Sequence, residues 1–142
     1  MPNIWFKEHS LEEVNSIFQT FMTGYLDIKA IEIREDALVV SMPVTDKVRQ
    51  PFGILHGGAS VVLAESAGSV ASNLVIDAEQ YAGVGMEVNA NHLKSVHGGT
   101  LIAICSPLHL GQKSHVWDIK ISDESDRLIC VSRLTVAIIE KK

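Results

Sequence analysis

The chain has 142 residues, enough for one domain with a real core and too few for a hidden second one. Its net charge of -5 and pI near 5.6 argue against general nucleic-acid binding, so any basic patch for a phosphorylated ligand must be local. The N-terminal MPNIWFKEHS lacks an apolar signal core and no uncharged run is long enough to cross a bilayer, so a cytoplasmic protein without membrane partners is expected.

Ser10-Leu-Glu-Glu13 is a capping box. Leu11, Val14, Ile17, Phe18, Phe21 and Met22 follow at helical spacing up to Gly24, so residues 1–23 are expected to supply an amphipathic covering helix. Leu26 to Arg34 and Ala37 to Val44 read as a hairpin split by Glu35-Asp36, with Pro43 closing the second strand. A polar loop, Thr45 to Gln50, then leads through Pro51-Phe52-Gly53 into a long helix.

That helix, Ala59 to Leu74 and with its glycine lead 57–75, is apolar or small on every face, which predicts a helix enclosed by protein. Between Arg49 and Asp77 its only ionisable residues are His56 and Glu65. A core Glu satisfied by a local partner is one reading; a functional carboxylate is the other. The functional reading starts at Gly57-Gly58, where free helix-start N–H groups carry the positive end of the dipole and can hold an oxyanion. Eight helical residues separate Gly57 from Glu65, roughly 12 Å, too far for both to touch one carbonyl. If the two serve one reaction, two antiparallel copies must lie side by side, so the site hypothesis is also a homo-oligomer hypothesis, a dimer or a pair of dimers.

Past a loop at Asp77 to Gln80 the pattern alternates, with Val84, Met86, Val88 and Ala90 on one side and Gly85, Glu87, Asn89 and Asn91 on the other. Gly98-Gly99, Gly111-Gln112 and the acidic Asp123 to Asp126 then divide Thr100 to Leu110, Ser114 to Ser122 and Arg127 to Ile139 as successive hairpin strands. On one of them Trp117 alternates with Ile119 and Ile121; Met22, Met42 and Met86 read as core or pocket wall. Cys105 and Cys130 read as core residues ahead of a disulfide or metal site, and the six histidines have no metal-ligand spacing. The result is an α+β single domain, residues 1–142, with a curved antiparallel sheet wrapped around one long central helix: the hotdog fold. An exposed edge strand in such a sheet is removed by pairing two copies.

QPFGILHGGASVVLAES, VGMEVNANHLKS and PLHLGQKSHVW, in that order, resemble the hotdog acyl-CoA thioesterases of the 4-hydroxybenzoyl-CoA and 1,4-dihydroxy-2-naphthoyl-CoA hydrolase type, from about Gly24 to Ile139. The resemblance implies Glu65 as catalytic carboxylate and the Gly57 N–H as holder of the thioester oxygen, supported by Gln50 and His56, with Ser69 placing water or the acyl ring. It also implies a pantetheine arm along Gly85, Met86 and Glu87, and nucleotide phosphates at His92, Lys94, Ser95, Lys113, Ser114 and His115. Lys94 stands where the family often has Arg, and loses the bidentate fork. No cofactor is implied beyond the CoA of the substrate, and a menaquinone-pathway role fits.

The chemistry needs a nucleophile or a base for water plus an oxyanion donor, and no metal. His56 next to the glycines reads as an orienting hydrogen-bonder. Ser69, one turn from Glu65, is equally a packing residue; Ser60, Ser66 and Ser72 are assigned to packing. No G-x-S-x-G elbow is present, which disfavours a serine hydrolase. Lys94, His97, Lys113 and His115 suit a phosphorylated carrier or a solvated rim. A hydratase or dehydratase acting on acyl thioesters, and a non-enzymatic acyl-CoA binder, stand as alternatives; the binder ranks last because a carboxylate there repels the thioester oxygen.

Overall fold

In the computed structural model, which describes residues 3–142, two short helices precede the sheet: α1 (Leu11–Phe18) and α2 (Phe21–Tyr25). β1 (Lys29–Ile33) and β2 (Leu38–Pro43) follow, then α3 (Gly57–Val75), β3 (Tyr81–His92), β4 (Thr100–Leu110), β5 (Ser114–Ser122) and β6 (Leu128–Glu140). All strand pairs are antiparallel, in the order β1-β2-β4-β5-β6-β3, and the sheet curls around α3.

The capping box forms, with Ser10 Oγ accepting the Glu13 N–H at 3.1 Å. The expected single helix nevertheless breaks after Phe18. Thr20 and Thr23 hydroxyls donate to the Ile17 and Phe18 carbonyls, and Phe21 takes a left-handed φ of 51°. Only Val14 and Phe18 face the core; Met22 is exposed, against the reading of it as core.

The sheet also departs from a run of hairpins. β4 lies between β2 and β5, so β3 crosses over and takes β6 as its partner, leaving its other edge free. The crossover is anchored by buried Val96, whose carbonyl accepts the Leu55 N–H at 2.8 Å. A β-bulge between Gly85 and Glu87 resets the alternation of β3. Gly83 and Gly85 face α3 before it; Val88 and Ala90 pack on the core after it, while Val84 and Met86 are exposed.

Asparagines dock both outer strands onto helices. The Asn15 amide satisfies the N–H and C=O of Ala30 on β1, and the Asn73 amide those of Gly83 on β3. Facing the sheet, α3 buries mainly Ala, Ser, Gly and two Leu against Met42, Leu101, Trp117, Ile119, Ile121, Leu134 and Val136. Small side chains let the helix sit close: a Cβ on Gly68 would collide with Leu134. Cys105 and Cys130 are free and buried in the core, and burial raises both thiols' pKa values.

The helix is not enclosed within one chain. Glu65 is exposed, and Val61, Val62, Ser66, Ser69, Val70 and Asn73 are only half-buried. This open face runs beside the free edge of β3.

Candidate active site

The residues before α3 fix where the helix starts. Arg49 bonds the Asp46 carboxylate and the Gly53 and His97 carbonyls, tying the loop to the crossover. Gln50 turns the chain: its carbonyl accepts the Gly53 N–H at 2.8 Å, its side-chain Oε1 accepts the Phe52 N–H, and Gly53 takes φ 84°. The Gln50 Nε2 is left as a donor. His56 is the helix N-cap, and its Nδ1 accepts the Gly58 N–H at 2.8 Å. That bond requires an unprotonated Nδ1, so the neutral ring carries its hydrogen on Nε2. The bond makes His56 the cap that fixes the first turn of α3.

Ala59 N–H goes to the His56 carbonyl, so among the described residues the Gly57 N–H alone of the first three helical donors has no acceptor. Both glycines stand close to exposed histidine rings, which would have to shift for a side chain at either position. A Cβ on Gly57 would lie 2.9 Å from His92 Nε2, and one on Gly58 2.9 Å from the His56 ring. Gly57 opens into a cleft of about 330 Å³, walled by Leu55, Ile129 and His92, with Lys94 and Ser95 at its rim.

Glu65 projects from the open face of α3 onto the β3 bulge, where a Cβ on Gly85 would come within 2.6 Å of Oε2. Glycine is therefore the residue that seats the carboxylate. Ser69 lies one turn on along the same face, and no protein group bonds Glu65 among the described residues. Glu87 points elsewhere and accepts from Asn89 Nδ2 at 3.1 Å.

The groups expected at the phosphates fall into two clusters within one chain. His92, Lys94 and Ser95 stand by Gly57, with the His92 ring against the helix start itself. Lys113, Ser114 and His115 lie level with Val84 and Gly85, at the other end of β3. The His115 side chain is 2% exposed and bonds Ser72 Oγ at 2.9 Å, so its ring belongs to the interior and not to a phosphate-facing surface. Ser72, read as packing, is a polar hub that also accepts the Trp117 Nε1–H at 2.7 Å. Asn73 was missed as the clamp on Gly83, although a lone amide two turns from Glu65 in an apolar helix was a visible signal.

A helix-wrapping six-stranded sheet, with an unpaired N–H at the helix start and a solitary carboxylate further along, defines a hotdog protein of the thioester-processing class. The thioesterase superfamily model matches residues 52–130, and the chain belongs to that family. It is 51% identical over 136 residues to the 1,4-dihydroxy-2-naphthoyl-CoA hydrolase of Escherichia coli, covering 96% of this chain and 99% of that one. It is 43% identical over 117 residues to the enzyme of the same name from Listeria monocytogenes, covering 82% and 94%. The crystal structure of a mutant thioesterase from Pseudomonas aeruginosa superposes with a TM-score of 0.95 at 43% identity, covering 97% of this chain and 99% of that one.

Proposed function

We propose that this protein hydrolyses an aromatic or medium-sized acyl-CoA, of which 1,4-dihydroxy-2-naphthoyl-CoA is one, to the free acid and CoA at a site shared by two subunits. The observation that carries the reading is the pair of unsatisfied groups on one open surface: the Gly57 N–H against His92, and Glu65 against Gly85. They stand about 12 Å apart along α3, so neither completes the other's chemistry in its own chain. The free edge of β3 supports an antiparallel pairing of two copies, in which Gly57 and His92 of one protomer meet Glu65 and Gly85 of the other. The same pairing carries Lys113 and Ser114 of one subunit toward Lys94 and Ser95 of the other, uniting the two clusters as a phosphate-binding rim. Met86, Gly85 and Glu87 then line the seam for the pantetheine arm.

In this arrangement the Gly57 N–H, at the positive end of α3, takes the thioester oxygen as it gains charge. Gln50 Nε2 and the His56 Nε2–H are further donors at the same end, and Ser69 borders the acyl side. Glu65 either attacks the carbonyl carbon, so that the C–S bond breaks and leaves an acyl–Glu65 anhydride that water then hydrolyses, or takes the proton from a water that attacks that carbon as the C–S bond breaks. In both routes the CoA thiolate leaves and takes up a proton derived from the water. Label found in the Glu65 carboxylate after a single turnover in labelled water excludes simple base catalysis, because it requires water to have attacked the Glu65 carbonyl of an anhydride. The reaction consumes water alone and calls for no cofactor, and a CoA thioester substrate supports a cytoplasmic location.

The test is steady-state hydrolysis of benzoyl- and naphthoyl-CoA by wild type and Glu65→Gln. A fall of about a hundredfold or more in kcat is expected. Unchanged turnover removes Glu65 from the mechanism, and enoyl absorbance without free thiol moves the protein to the hydratases.

A further inference from the structure

A second cavity, of about 840 Å³, lies at the C-terminal end of α3, away from the Gly57 cleft. Its lining is mixed: Phe6, Val75, Ile76, Leu110, Ile138 and Ile139 supply apolar surface, and Tyr81, Gln112 and His115 stand among them with charged Asp77, Lys113 and Glu140. The Asn73 clamp on Gly83 closes the seam between α3 and β3 on the side toward Glu65. Two polar rings are among its lining residues, the half-buried Tyr81 and the buried His115.

The hydrogen-bond chain behind that ring has a fixed direction. A tryptophan N–H can only donate, so Ser72 Oγ accepts from Trp117 at 2.7 Å. Among the described residues Ser72 has no other acceptor for its own hydrogen, which therefore goes to His115 Nδ1 at 2.9 Å. The imidazole hydrogen then sits on Nε2. Burial, with a smaller contribution from His109, lowers the pKa of His115 from 6.5 and so favours this neutral form. Nε2 has no protein partner among the described residues, yet it is not one of the sealed, unpartnered side-chain atoms, which are His9 Nε2 and Ser60 Oγ. It opens into the cavity as an uncommitted donor.

We propose that this cavity is a second small-molecule site, which takes a neutral, aryl-sized compound whose carbonyl oxygen accepts the His115 Nε2–H while its rings fill the apolar walls. Apolar surface with a few polar groups such as His115 and Tyr81 is the usual make-up of a ligand pocket. The mouth carries Asp77 and Glu140 against Lys113, so it gives no net attraction to an anion. This selects a ketone over a carboxylate of the same shape.

The probes are 2-acetylnaphthalene and, as its anionic counterpart, 2-naphthoate, titrated into the full chain while the His115 ring nitrogens and the Leu110 and Ile138 methyl groups are followed by NMR. The ketone is expected to shift these signals saturably and to bind more tightly than the carboxylate. His115→Phe weakens it about tenfold, the loss of one hydrogen bond. Leu110→Trp abolishes binding; because Leu110 lies at the mouth and is 36% exposed, the fold and the thioester hydrolysis persist in that variant. Glu65→Gln leaves ketone binding unchanged. Absence of shifts up to the ketone's solubility limit means the cavity holds water only and overturns the proposal. So does tighter binding of the carboxylate, or binding that disappears in Glu65→Gln and survives Leu110→Trp. None of these readouts requires hydrolysis, so the proposal stands or falls separately from the thioesterase reading.

Discussion

Gly85→Ala tests the seat of the carboxylate without touching the carboxylate. A Cβ at this position would lie 2.6 Å from Glu65 Oε2, where ordinary contact begins near 3.4 Å, so the carboxyl group must retreat by about 0.8 Å. Glu65 is exposed and its end is flexible, so the retreat costs the fold little. A displacement approaching 1 Å from the reactive geometry is enough for up to about a hundredfold in rate, or about 2.7 kcal/mol of barrier. The expected result is a kcat reduced about ten- to a hundredfold, with a melting temperature within a few degrees of wild type. Substrate affinity, measured with a non-hydrolysable CoA thioether, changes less than kcat. Wild-type kcat in well-folded Gly85→Ala refutes the claim that the β3 bulge positions the catalytic group.

His56→Ala removes the acceptor for the Gly58 N–H and is expected to cost about 1 kcal/mol in a denaturant titration, with His56→Asn recovering most of it by restoring a cap. Full recovery of hydrolysis in the Asn variant assigns His56 to capping alone; a shortfall in kcat at restored stability marks the Nε2–H as a further donor to the thioester. The burial of His115 also sets a pH limb. Its folded pKa lies below the ordinary 6.5, so between the two values the unfolded chain binds the extra proton and acid favours unfolding. Melting temperature is therefore expected to fall as pH drops below about 6.5, the unfolded value, and to be insensitive to this group above it. His115→Phe flattens that limb; an identical acid limb in the variant contradicts the assignment.

The central helix, both of its boundary glycines and most strand limits were legible because they rest on local signals: Gly-Gly and acidic turns, a proline-free apolar run, and a capping box. What escaped depends on contacts distant in sequence. β3 follows α3 and precedes β4, yet it pairs with β6, and nothing in its own residues names that partner. Its alternation suggested an unbroken strand because the bulge is visible only in its register against β6, and the Glu65 carboxylate that lies over Gly85 comes from another element. The break after Phe18 carries neither Gly nor Pro and comes from threonine hydroxyls competing for helix carbonyls. His115 was legible in part: it shares the alternation of Trp117, Ile119 and Ile121, which points inward, whereas the resemblance set it among phosphate contacts. The helix composition promised enclosure on every side, and one chain leaves the Glu65 face open.

Subunit complementation tests that sharing most directly. Gly57→Pro deletes the proposed oxyanion donor at a helix position where proline is tolerated; His56 already has the extended backbone that must precede a proline, and the added ring displaces only the exposed His92 side chain. Each variant, Gly57→Pro and Glu65→Gln, is nearly inactive alone. After the two are unfolded together and refolded at equal amounts, mixed dimers should each carry one intact site, restoring about a quarter of wild-type turnover. A mixture no more active than its parents would mean that both groups act within one chain, contrary to the account given for this thioesterase.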